Sequence, residues 1–179
     1  MDKSVMLEDK AILMVIAPND FRDEELAQPK RIFQEAGAKV VIASREISEA
    51  VGMLGKVKVT PDVALEDIAA GGYDAVIFVG GSGAKTYFED EEAHNIANFS
   101  YEAGNIVGAI CIAPAILANA GLLEGKKATC YKSVSETLKA KGAEYTGAAV
   151  EKDGRIITAD GPESAEEFGL AVRDAVAEM

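Results

Sequence analysis

Cys111 lies in GAICIAPA (108–115), inside a thirteen-residue apolar run, 106–118, punctuated only by Pro114. A thiol in that setting is either a small buried hydrophobe, a common place for cysteine, or a nucleophile held where a strand turns into a helix. The second reading has a physical basis. If 106–110 is a strand and 113–120 a helix, Cys111 and Ile112 alone turn the chain. The first free N–H groups of the helix then favour an anion and lower the thiol's pKa. Hydrolases with a nucleophile elbow use this geometry, although their G-x-S-x-G spelling is absent here. Pro114 suits an early helical position, where no intrahelical N–H bond is needed.

Two other stretches point to the same place. Gly80-Gly81-Ser82-Gly83 follows the apolar run DAVIFV; glycines there let backbone N–H groups approach an oxyanion, or simply end a strand. The third glycine of a dinucleotide fingerprint is missing, and GLLEGKKA (121–128) is too short for a phosphate loop. Asn19-Asp20-Phe21-Arg22-Asp23-Glu24-Glu25 reads as a charged helix start, with Asp23 as N-cap and carboxylates in the first turn. Pro29 lies four residues after Glu25, removes one helical hydrogen bond and bends the helix there. That bend can aim the Glu25 carboxyl inward, where burial would keep it protonated and let it donate to sulfur. The only histidine, His94, lies in the charged segment EDEEAHNIA and reads as a surface residue. Two cysteines and one histidine do not come at metal-ligand spacings, so neither a metal nor another cofactor is expected.

These residues need a scaffold. Runs at 11–17, 39–43, 74–79 and 106–111 are continuously apolar rather than alternating, as in parallel strands covered on both faces. Helical patterns occupy 24–36, 65–70, 90–103, 113–120, 133–141 and 163–176. A hairpin is expected at 51–59 around Gly55, and a second with arms 148–151 and 155–158 around Lys152-Asp153-Gly154. A short strand at 128–130 would bring Cys130 near the same edge. The expected fold is a single α/β domain over 1–179, a three-layer sandwich around a mostly parallel sheet. In such sheets reactive groups gather beyond the carboxyl ends of the strands.

The chain has 179 residues and a formal net charge of −12. Such a charge repels nucleic acids and anionic membranes. The apolar run at 106–118 falls short of the ~20 residues that span a bilayer. The first twenty residues lack the pattern of a secretory signal, and two cysteines make no disulfide framework. The expected setting is the reducing cytoplasm.

On the motifs EELAQP, TPDVALEDI, DAVIFVGG, GAICIAP and DGRIITADGP the chain resembles the ThiJ/PfpI family, which includes the parkinsonism-associated deglycase. That family lies within the class I glutamine-amidotransferase-like superfamily, and the resemblance covers about residues 10–177. It implies a flavodoxin-like sandwich with a nucleophile elbow, and a homodimer. It also implies Cys111 as nucleophile, Glu25 as the carboxyl touching it, and the N–H groups of Gly81 and Ile112 as an oxyanion site. The departures are specific. Peptidase-like members carry a histidine after the cysteine, where this chain has Ile112, and a glutamate after the glycine loop, where it has Lys85. Deglycase-like members often carry a histidine where this chain has Cys130. Peptide hydrolysis needs a base for the nucleophile and an acid for the leaving amine, so the peptidase or amidase reading is disfavoured. Thiol attack on a small α-oxoaldehyde, in a glyoxalase or deglycase reaction, needs no amine leaving group, and one carboxyl, Glu25, can shuttle the proton of the hemithioacetal. The alternative is a redox-sensing stress protein in which Cys111 is oxidised and Cys130 serves as a second thiol.

Overall fold

The computed structural model describes residues 5–69 and 71–179. Seven strands form the main sheet: β1 (Ala11–Val15), β2 (Lys39–Ser44), β3 (Val63–Ala64), β4 (Ala75–Phe78), β5 (Ile106–Ile110), β6 (Val150–Asp153) and β7 (Ile156–Ala159). Their order is β6-β7-β5-β4-β1-β2-β3, parallel throughout except for the β6–β7 hairpin at one edge. The central strands are buried along their whole length because both faces are covered: this holds for every residue of β4, β5 and β7. Helices α1 (Asp23–Glu35) and α5 (Ala165–Ala177) pack together, α1 also on β2 and α5 on β5 and β7. The other face carries α2 (Glu91–Glu102) against β4 and β5, and α3 (Pro114–Asn119) against β5, with α4 (Ser135–Ala140) packed on α3.

The chain runs outward from β1 through β2 to β3, then returns to the other side of β1 as β4. This reversal opens a crevice beyond the carboxyl ends of β1 and β4, the place where open α/β sheets bind ligands. Four loops meet there: the one after β1 that leads into α1, Gly80-Gly81 after β4, Cys111 after β5, and Asp160-Gly161-Pro162 after β7.

Several expected boundaries shift. The hairpin at 51–59 forms from Ala50–Gly52 and Lys58–Val59, and Asn19–Phe21 adds to it as a third, parallel strand. Only Leu65–Asp67 of the helix expected at 65–70 is helical, as a 3-10 turn after β3; Ala70 lies outside the described residues. The edge hairpin turns around Gly154-Arg155, one to two residues later than expected. The strand expected at 128–130 is Lys127–Ala128, so Cys130 follows it.

Candidate active site

The turn between β5 and α3 is as tight as the sequence implies. Cys111 takes φ 65°, the left-handed region that a residue with a Cβ seldom occupies. Two long-range bonds hold it there: its N–H donates to Ala159 O at 2.9 Å, and its carbonyl accepts from Tyr131 N–H at 2.8 Å. Strand β7 and the segment carrying Tyr131 therefore fix the strained residue, and the sulfur is carried out of the sheet toward the crevice.

Glu25 arrives from the first turn of α1. It is 0% exposed, the most buried acidic side chain in the described chain. The space between carboxyl and sulfur is set by Gly80: a Cβ there would strike Glu25 Oε2 and stand 2.6 Å from Cys111 Cβ. The Gly80 N–H and the Cys111 thiol both act on the Glu25 carboxyl. Even so, neither carboxylate oxygen has a partner in full hydrogen-bond geometry. A buried carboxyl so poorly satisfied favours its neutral form. Burial pushes Glu25 up to about 8, against the smaller downward pull of Cys111, Gly80 and Arg22.

The backbone N–H groups of Gly81 and Ile112 both act on the Cys111 sulfur and favour its charged form. Gly81 has φ 97°, and a Cβ there would stand 2.5 Å from Asp20 O and 2.6 Å from Phe21 C, so only glycine lets this loop lie against the chain entering α1. One expectation is corrected here. The N–H donors were expected to lower the thiol's pKa; they pull in that direction, but burial outweighs them, and with the Glu25 charge pushes Cys111 up to about 12. Thiol and carboxyl form one coupled unit that keeps both protons at neutral pH and releases the first near 8. Once Glu25 is protonated its charge no longer opposes the thiolate, and it becomes a donor to sulfur.

Above this pair lies a cavity of about 300 Å³. Cys111, Ile112, Gly81 and Ser82 line it together with Arg22, Lys85, Met53, Tyr131, Ser133 and Pro162. Cys111 is 8% exposed, enough to open onto this space. No histidine lines it. His94 is on α2, half-buried, with Nε2 2.8 Å from Phe88 O. Cys130 is buried at 1% exposure and lines a neighbouring cavity that shares Tyr131 and Pro162; both thiols are free. Among the described residues no group of three potential metal ligands forms.

Asp23 differs from the N-cap role that its sequence position implies. It is the first residue of α1 rather than its cap, and its carboxylate accepts from Leu54, Lys56 and Val57 N–H at 2.8, 2.9 and 2.7 Å. Burial raises its pKa, but these donors prevail and hold it below the usual carboxylate range. Asp23 thereby secures the loop that carries Met53 to the cavity wall. Its partners lie about thirty residues away, in and beside the turn GMLGK (52–56), and no local pattern around Asp23 points to them.

The DJ-1/PfpI family model matches residues 10–175. The chain is 32% identical over 151 residues to a deglycase of Pyrococcus horikoshii, covering 84% of this chain and 90% of that protein. It is 28% identical over 167 residues to a glutathione-independent glyoxalase of Caenorhabditis elegans, covering 93% and 89%. A ThiJ/PfpI domain protein from Brachyspira murdochii superposes with a TM-score of 0.92 at 32% identity, covering 94% of this chain and 97% of the other. With the elbow, the buried glutamate and the glycine loop in their places, this chain belongs to the DJ-1/PfpI family.

Proposed function

We propose that the protein is a cysteine-dependent enzyme acting on small α-oxoaldehydes or their adducts, as the names of the glyoxalase and deglycase relatives suggest. The observation that carries this reading is the isolated pair itself: a strained thiol, one buried carboxyl short of partners, and no histidine. In the form holding one shared proton, Glu25 takes that proton from the thiol as sulfur attacks the aldehyde carbon of methylglyoxal, and passes it to the oxygen. A hemithioacetal forms. The Glu25 carboxylate then removes the proton from that carbon, and the N–H groups of Gly81 and Ile112 hold the charge on oxygen. Glu25 returns the proton to the neighbouring carbon as the hydroxyl proton passes between the two oxygens, giving a thioester. Water hydrolyses it to lactate and frees Cys111. One carbon is oxidised, its neighbour is reduced, and no outside oxidant is needed.

Lactate formation by wild type, Cys111→Ser and Glu25→Gln tests this. Both variants are expected to lose at least about a hundredfold in kcat/KM, the usual scale of a general acid–base contribution. Wild-type kcat/KM is expected to rise with pH through about 8, as the pair gives up its first proton. Equal rates in the three proteins would rule the reading out. The family homodimer is part of this proposal and is checked by sedimentation of the native protein.

A second reading has its own support: the two N–H groups and the protonated carboxyl around one sulfur also suit an oxidised product, with peroxide as oxidant. Intact mass after mild peroxide treatment decides it, since oxygen addition at Cys111 supports sensing and an unchanged mass rejects it. Peptide hydrolysis stays disfavoured, because no histidine lines the cavity to activate Cys111 or protonate a leaving amine.

A further inference from the structure

The cavity over Cys111 has a charge opposite to that of the chain. The protein carries a net −12, yet no acidic residue lines this cavity, and two cations, Arg22 and Lys85, do. Arg22 gives two of its N–H groups to Glu24, Nε at 2.8 Å and Nη2 at 3.3 Å, out of the five a guanidinium carries. Lys85 is exposed at the end of the glycine loop, and among the described residues no ion pair engages it. The hydroxyls of Ser82 and Ser133 line the same space. At about 300 Å³ the cavity is at the low end of small-molecule pockets, roughly 300–1,000 Å³, and holds more than methylglyoxal alone would fill.

We propose that this cavity selects α-oxoaldehydes bearing a second, anionic group, a carboxylate or phosphate held by Lys85 and Arg22 while the aldehyde carbon faces Cys111. The proposal rests on the carbonyl reading above and names its substrate class. The anion is a spectator in the reaction: R–CO–CHO and water give R–CHOH–COO⁻ and a proton, with R keeping its charge. Lys85 is a specificity residue, since it reaches the far end of the substrate and not the reacting carbons.

Two measurements on the intact protein test it. In the first, Cys111 is alkylated by iodoacetate and by iodoacetamide, reagents of similar size that differ in charge. Rates are followed by mass spectrometry in wild type, Lys85→Met and Lys85→Glu, with peptide mapping to separate Cys130. The iodoacetate-to-iodoacetamide ratio is expected to fall about tenfold from wild type to Lys85→Glu, with Lys85→Met between. Equal ratios in all three overturn the proposal whether or not the protein turns anything over. In the second, kcat/KM is compared for 4,5-dioxopentanoate and the neutral 2-oxohexanal. A preference for the anion that collapses in Lys85→Glu supports the proposal. Turnover of both without preference overturns it and leaves the carbonyl reading standing. No turnover of either, beside a charge-sensitive alkylation ratio, overturns the carbonyl reading and keeps the anion-selecting cavity.

Discussion

Glu25 is the residue whose protonation couples stability to the site. Its pKa is raised from 4.5 to about 8 by burial, so between those values the folded protein holds a proton that the unfolded chain has released. Stability therefore falls as pH rises across that window, by up to about 1.4 kcal/mol per pH unit for this one group. Below 4.5 both states are protonated and the effect vanishes. Glu25→Gln keeps a neutral, hydrogen-bonding side chain of the same shape and cannot ionise. Urea unfolding is expected to find the variant gaining on wild type steadily from pH 5 to 8. Parallel curves for the two proteins would mean that Glu25 already ionises at an ordinary carboxylate pH in the fold, and the expected rise of kcat/KM through about 8 would lose its cause.

At the level of elements, α1 reaches in two directions from within its first turn. Glu25 points under Cys111, while Asp23 holds the 53–57 loop through three N–H bonds. Asp23→Ala is expected to cost about 2 kcal/mol, because the donors lose a charged acceptor, and to weaken substrate binding as Met53 leaves the cavity wall. Asp23→Asn retains an acceptor and should restore much of the stability. Thermal unfolding together with a KM-against-kcat split checks both, and an Asp23→Ala protein of wild-type stability and KM would show the loop is held by other contacts. What could be read in advance divides along the same line. The continuous apolar runs revealed the parallel strands, and Cys111, Glu25 and Gly81 were legible because each belongs to a short local pattern. Asp23's partners lie 31 to 34 residues along the chain, and no local pattern marks them. The thiol's pKa was misjudged for a related reason: the N–H donors are visible in the turn, but the burial that outweighs them comes from the strands and loops that close over it.

Across the whole molecule, two fields of opposite sign act on an approaching anion. The net −12 repels it from a distance, and the cations lining the cavity attract it close in. Salt separates them, because the screening length shrinks from about 30 Å at 0.01 M ionic strength to about 10 Å at 0.1 M. Over that range the repulsion from distant carboxylates fades, while contacts of a few ångströms with Lys85 and Arg22 persist. Alkylation of wild-type Cys111 by iodoacetate is therefore expected to speed up as salt rises to 0.1 M, while iodoacetamide, being neutral, keeps its rate. Methylglyoxal turnover should be as insensitive, for the same reason. A rate with iodoacetate that falls from the lowest salt onward would show the cationic cavity already governing approach at long range, and the surface field would have to be far less negative around this face than the total charge implies.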